Sequence, residues 1–244
     1  MAAIEFNNVS KVFAHGNRQL LGRLVARQLL GRHETRGGNN FQALRDVNFK
    51  VEEGESLGIV GANGAGKSTL LALASGVTEP DSGQVTVRGS VAPLLDLGAG
   101  FHPDLTGEEN LRLNASLLGV TRARTEEFAE RVVAFADLGE FIRDPVRVYS
   151  SGMTMRLAFS VAIHLDPDVF VIDEIIGVGD AAFQEKCRAK MLEFRKRKKT
   201  LLLASHSASL ITAMCDRAIW LEKGAIRMTG PADEVMSAYG ELHA

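Results

Sequence analysis

Cysteine is scarce in this 244-residue sequence, charge of one sign is not in surplus, and no long apolar run occurs. The two cysteines, Cys187 and Cys215, have no ligand partner at metal spacing. That argues against a disulfide framework or a structural zinc site and points to a reduced intracellular chain. Lys and Arg number 28 against 30 Asp and Glu, a formal net charge of −2, so there is no global electrostatic pull toward nucleic acid. No apolar stretch reaches the roughly eighteen residues of a membrane span. Residues 1–6 lack the basic start and apolar centre of a secretory signal, so the expectation is a cytoplasmic protein that meets a membrane only through a partner or a surface helix. Internal repeats and low-complexity tracts are missing as well. What is present, 45% hydrophobic and 24% charged residues, is ordinary for a globular chain long enough to bury a sizeable core.

Apolar alternation predicts a strand over residues 4–13, and residues 47–51 and 57–60 flank Glu53-Gly54 as a hairpin would. Between Phe13 and Phe41 an Arg- and Gly-rich interruption places Leu20, Leu21, Leu24, Val25 and Leu29 on one side of a helical wheel and Arg23 and Arg27 on the other. This is the pattern of a short basic amphipathic helix. Residues 84–87 read as a strand and 91–97 as a further apolar stretch. A helical section then opens on Thr106, with Glu109 three residues on as in a capping box, and restarts near Thr125. Its helix-only texture between strand-bearing flanks suggests a helical subdomain inserted into an α/β core. Downstream, helix 151–165, strand 169–172, helix 181–198, strand 200–204, helix 209–214, hairpin 218–221 with 225–228, and helix 233–242 alternate. Such alternation implies a parallel sheet whose site lies at the strand carboxyl ends.

The stretch Gly61-Ala62-Asn63-Gly64-Ala65-Gly66-Lys67-Ser68-Thr69, between an apolar run and a helix-like run, fits G-x-x-x-x-G-K-[ST]. Its glycines let backbone N–H groups close on a polyphosphate, and the helix that follows adds its positive end. Lys67 suits β- and γ-phosphate charge. The Ser68 hydroxyl suits Mg²⁺, which prefers hard oxygen ligands, and Thr69 lies beside it. Phe170 to Ile172 then lead into Asp173 and Glu174 at a strand end, placing one carboxylate to hold Mg²⁺ through water and a second to orient or deprotonate an attacking water. His206 follows the next apolar strand, where it could contact the γ-phosphate. Tyr149-Ser150-Ser151-Gly152-Met153 opens a long helix; by itself it is an N-cap with a glycine, and it is also a second helix start suited to phosphate.

Taken together and in this order, these motifs resemble the ATP-binding-cassette ATPases across nearly the whole chain. Gly61 to Thr69 match Walker A, Phe170 to Glu174 Walker B, Tyr149 to Met153 the LSGGQ signature, Gly177 to Asp180 the D-loop and His206 the switch histidine, while Phe13 stands where the family stacks adenine. The resemblance implies an α/β fold with a P-loop (RecA-like) core, an antiparallel β subdomain and an inserted α-helical subdomain. Residues 1–95 and 166–244 would form the core, 96–165 the helical part and 14–40 an amphipathic insertion. It implies ATP and Mg²⁺, with Glu174 and His206 catalytic and Ser68 and Asp173 at the metal. Phe13, Gly61, Asn63, Gly64, Ala65, Gly66, Lys67, Ser68, Thr69, Ser150, Ser151, Gly152 and Asp180 would bind nucleotide.

Departures from the family pattern narrow the branch. Ser151 replaces the usual first glycine of the signature, Met153 its glutamine, and the 14–40 interruption is absent from compact cassettes. With the run from Asp173 to Gln184 and the Leu97-Gly-Ala-Gly-Phe-His-Pro103 turn, these features resemble exporters of O-antigen, capsule or teichoic-acid polymers. That branch implies a homodimer on the cytoplasmic face of the inner membrane, paired with an integral membrane permease that moves a lipid-linked polysaccharide. Residues 95–100 hold no glutamine where the family's Q-loop should have one; Asp96 is the nearest polar candidate. The 14–40 helix either gates substrate at the membrane or packs on its own domain. With the last predicted helix ending at 242, no appended carbohydrate-binding domain is expected. The rival reading, a soluble ATPase of this family acting on nucleic acid or the ribosome, usually brings two cassettes or a coiled coil, and a P-loop kinase would leave Ser150 to Gly152 and His206 unused.

Overall fold

The computed structural model describes residues 1–14, 40–95, 100–173 and 179–243. The basic segment expected within 14–40 falls, but for its end residues, outside the described residues, as do Asp96, Glu174 and Gly177. Strand β1 (Ala2–Ala14) lies between β2 (Asn40–Glu52) and β4 (Ser82–Val87), antiparallel to both. Its Ile4, Phe6 and Val9 turn inward against Leu44, Val47 and Val51, and Phe6 stacks on Phe49 with ring centroids 4.5 Å apart.

Strand β3 (Ser56–Val60) does not pair with β2, so the hairpin expected across Glu53-Gly54 is not formed. All five residues of β3 are buried, which requires neighbours on both edges and cover on both faces; only a second, mostly parallel sheet supplies that. Gly54, at φ +79°, turns the chain from one sheet to the other, and a Cβ there would lie 2.9 Å from the Lys198 carbonyl oxygen. The second sheet runs β5 (Val91–Leu94), β6 (Val169–Asp173), β7 (Thr200–Ala204), β3, β8 (Arg217–Glu222), β9 (Ala225–Pro231). Its neighbours are parallel except β9, which returns antiparallel to β8 as the Lys223-Gly224 turn predicts.

Period-two alternation along β6 divides the core. Val169 and Val171 join α1 (Lys67–Ala74) and the first sheet, whereas Phe170 and Ile172 join α5 (Ala181–Lys196), α6 (Ala208–Met214) and α7 (Ala232–His243). A third cluster is built from α2 (Gly107–Leu117), α3 (Arg122–Ala136) and α4 (Ser151–His164), with Leu111, Phe128, Val132 and Leu157 at its centre. Helix α4 joins the two regions, giving Leu157 and Val161 to the helical cluster and Phe159 and Ile163 to the sheet.

Thr106 and Glu109 form the expected capping box at the start of α2. Helix α3, however, begins at Arg122 rather than near Thr125. Gly119, at φ +85°, has already ended α2, so the chain re-enters a helix at once, and the Thr125 hydroxyl donates to the Thr121 carbonyl from inside the first turn at 3.1 Å.

Candidate functional site

Strand β3 feeds directly into the glycine turn, and the turn into α1. Gly66, at φ +108°, is the N-cap of α1 and offers no side-chain cap, and no acidic residue lies in the first turn. A Cβ at Gly66 would stand 2.5 Å from the Ala43 carbonyl oxygen, so nothing larger than glycine fits. The positive end of α1 therefore faces the turn unneutralised by its own side chains. The turn is tied to the sheet by Gly224 N–H donating to the Ala65 carbonyl at 2.9 Å. Lys67 is 8% exposed; its ammonium folds back inside the turn and donates to the Gly61 carbonyl at 2.7 Å and the Ala62 carbonyl at 3.2 Å.

The end of β6 brings Asp173 to the same place, where the Ser68 hydroxyl donates to its carboxylate at 2.7 Å. Asn63, Gly64, Gly66, Lys67, Ser68 and Thr69 line a cleft of about 390 Å³ together with Asp173 and His206. Ends of three adjacent strands, β6, β7 and β3, thus converge on it, which is where an open α/β sheet collects its ligand groups. Gly61 and Ala65 belong to the turn without lining the cleft: one holds Lys67, the other is buried beneath. An ammonium and a helix start suit a polyphosphate, and a hydroxyl beside a carboxylate offers the hard oxygens that Mg²⁺ takes. The residues present therefore fit both groups.

Phe13 does not line the cleft, and Phe41 does. The two are cross-strand partners in the β1–β2 register, each about half exposed, and Phe41 lies on the strand that also presents Ala43 to the cleft. Nothing in the sequence picked out Phe41, because its place at the cleft depends on a β1–β2 register that no local pattern records.

Ser150, Ser151 and Gly152 sit elsewhere, at the N-terminus of α4 in the helical layer, and do not line the cleft of their own chain. The Ser150 hydroxyl accepts from Met153 N–H at 3.2 Å, and Tyr149 behind it donates to the Phe141 carbonyl at 2.7 Å. Burial, with the Asp144 carboxylate, pushes the Tyr149 phenol up to about 12. Asp180 caps α5, accepting from Phe183 N–H at 2.9 Å, and its other oxygen lies 3.7 Å from the Arg156 guanidinium. Glu174 lies outside the described residues.

Residues 44–177 match the family model described as ABC transporter. The O-antigen export system ATP-binding protein of Klebsiella pneumoniae is 47% identical over 85% of this chain and 84% of its own length. The protein of the same name from Myxococcus xanthus is 46% identical over 89% of the chain, which spans only 50% of that longer relative. Among solved structures, the dimeric post-hydrolysis state of the ATP-binding cassette MJ0796 bound to ADP and Pi superposes with a TM-score of 0.74, covering 94% of this chain and 98% of that one; at 21% identity the likeness is one of fold. With the family model spanning more than half of the sequence and the Klebsiella relative aligned over most of both lengths, this chain belongs to the ABC transporter family.

Proposed function

We propose that the chain is the ATP-hydrolysing subunit of a transporter that exports a lipid-linked polysaccharide of the O-antigen, capsule or teichoic-acid type. The observation that carries the ATP-hydrolysing part of this reading is the 2.7 Å contact between Ser68 and Asp173 beside the loop-wrapped Lys67. The names of the relatives, ATP-binding proteins of O-antigen export systems, favour this reading over a soluble ATPase working on nucleic acid or the ribosome. In this scheme Lys67 and the N–H groups of residues 64–69 hold the β- and γ-phosphates, with Phe41 beside Phe13 against the base. Mg²⁺, when bound, supplies positive charge that neutralises the phosphate oxygens; Ser68 and Asp173 are the residues to hold it. Glu174 orients the attacking water and takes its proton, and His206 holds the γ-phosphate until it is cut.

Ser150, Ser151 and Gly152 act on the nucleotide of a second copy, with Asp180 at the same seam, so each of two clefts is completed by the other chain. Closure then depends on the γ-phosphate, and its loss releases the pair. Residues 1–95 and 166–244 serve as the nucleotide-holding core, 96–165 as the moving helical part. Among the described residues no helix is long and apolar enough to cross a membrane. The proposal gives that crossing to a membrane permease, docked from the cytoplasmic face of the inner membrane.

Lys67→Ala is the test. Removing charge-assisted hydrogen bonds worth about 1.5–3 kcal/mol each should weaken nucleotide binding by roughly 10- to 150-fold and abolish Mg²⁺-dependent ATP turnover. In the source cell, deletion of the gene should strip the long surface polysaccharide, and the Lys67→Ala form should fail to restore it. Normal polymer display after deletion would exclude the export reading.

A further inference from the structure

Asn110 is fully buried, and its side chain bonds only to backbone. Its Oδ1 accepts from His102 N–H at 2.6 Å, while its Nδ2 donates toward the carbonyls of His102 at 2.9 Å, Leu105 at 3.1 Å and Thr106 at 3.1 Å. One amide thus closes the loop 102–106 from both ends onto α2. The same loop is joined along its length to residues 144–149. Val146 N–H donates to the Leu105 carbonyl at 2.9 Å, Arg147 N–H to the Pro103 carbonyl at 2.9 Å and Gly107 N–H to the Asp144 carbonyl at 3.2 Å. Thr106 and Pro145 form an antiparallel bridge, and the Arg147 guanidinium reaches the Asp104 carboxylate at 2.5 Å. Gly107 leaves no room for a side chain because the Tyr149 hydroxyl stands where its Cβ would be.

This joined unit sits between two places that matter. Upstream in the chain is Leu95, which lines the nucleotide cleft; downstream, directly after Tyr149, is Ser150. Freeing the loop 102–106 would leave the buried Asn110 amide without its partners, so Asn110 fixes the shape of the loop whose backbone bonds hold the segment 144–149.

We propose that Asn110 is a positioning residue: by fixing the loop 102–106 it keeps that loop paired with the segment 144–149 as one rigid plate, and so fixes where Ser150 to Gly152 are carried relative to the chain's own cleft. The inference rests on the two-copy reading above, because that position matters only if Ser150 to Gly152 must meet a second copy's nucleotide. Errors of about 1 Å in placing such groups cost on the order of a hundredfold in rate, so a slack plate should depress turnover without weakening nucleotide binding to the cleft.

Two measurements on the full chain test this. Asn110→Ala should lower kcat about tenfold or more while the dissociation constant of a fluorescent ATP analogue stays within about twofold. The second uses Asp104→Cys with Arg147→Cys, two exposed positions whose native side chains form an ion pair between the loop and the segment, so that an oxidised pair ties the two together. Cys187 and Cys215 do not compete, because burial pushes both thiols up to about 12 and keeps them protonated. A rigid plate tolerates the crosslink, so oxidised and reduced forms should turn over ATP at rates within about twofold, and oxidation in the Asn110→Ala background should restore most of the lost kcat.

Reversible inhibition on oxidation would show that the two segments slide past each other in the cycle and would overturn the proposal. So would failure of the crosslink to rescue Asn110→Ala, or a loss confined to nucleotide binding. If Asn110→Ala does not fold, the crosslink comparison in the otherwise unaltered chain decides alone. Gly152→Glu separates this from the underlying reading: if turnover ignores that substitution, the two-copy scheme fails; if it does not and the crosslink blocks the cycle, only the rigid plate fails.

Discussion

At the residue scale the clearest untapped group is His164, the last residue of α4. Its Nδ1 lies 2.7 Å from the Ser160 carbonyl, so that nitrogen carries the proton, and its ring meets Phe135 edge-on with centroids 5.3 Å apart. Burial holds its pKa below the usual histidine value. Lys190 and Arg131 push the same way, against the Ser160 hydrogen bond and Glu193. The unfolded chain therefore binds the proton more readily than the folded one, and stability falls as pH drops below about 6.5. Thermal melting should show a lower midpoint at pH 5.5 than at 7.5, with a smaller difference for His164→Gln, whose amide can keep the Ser160 bond. An equal drop in both would remove His164 from the acid response. Nothing in the sequence marked this histidine. His206 stood out by its place after an apolar strand, whereas the burial of His164 depends on how α3 and α5 pack beside it.

At the scale of elements, local chemistry that names its own partner was readable. Thr106 and Glu109 lie three residues apart, and in the structure the Thr106 hydroxyl accepts from Glu109 N–H at 3.1 Å while Thr106 N–H donates to the Glu109 carboxylate at 2.8 Å. Those bonds hold the Glu109 carboxyl below its ordinary range, so the contribution is present above the unfolded value and is lost as pH falls through the folded one. Thr106→Ala should cost about 1 kcal/mol, seen in urea titration as a lower midpoint at unchanged slope. No change would mean that α2 draws its stability from packing alone. Pairing between distant strands was harder to read. Residues 57–60 look the same whether they face β2 or lie in a parallel sheet, and only the burial of both faces by α1 and by α6 with α7 decides between them. The choice of Phe41 over Phe13 at the cleft likewise follows from a register set across an interruption that local pattern does not span.

At the scale of the whole molecule, one chain owns two helix starts suited to phosphate and does not bring them together. The α1 start lines the cleft with Lys67 and Asp173, and the α4 start lies in the helical layer. The glycine turn, the paired strand ends and the family were legible from the sequence because each is written in contiguous residues with a fixed spacing. That the two helix starts occupy separate surfaces depends on how α2, α3 and α4 pack as a cluster, which no single segment records. In the proposed scheme a second copy completes each cleft. The direct measurement is the mass in solution of the Glu174→Gln chain with Mg²⁺ and ATP, by light scattering, against the same chain with ADP. The expected result is a stable dimer with ATP that reverts to monomer with ADP, and turnover close to zero. A chain that holds ATP and Mg²⁺ yet stays monomeric would contradict it.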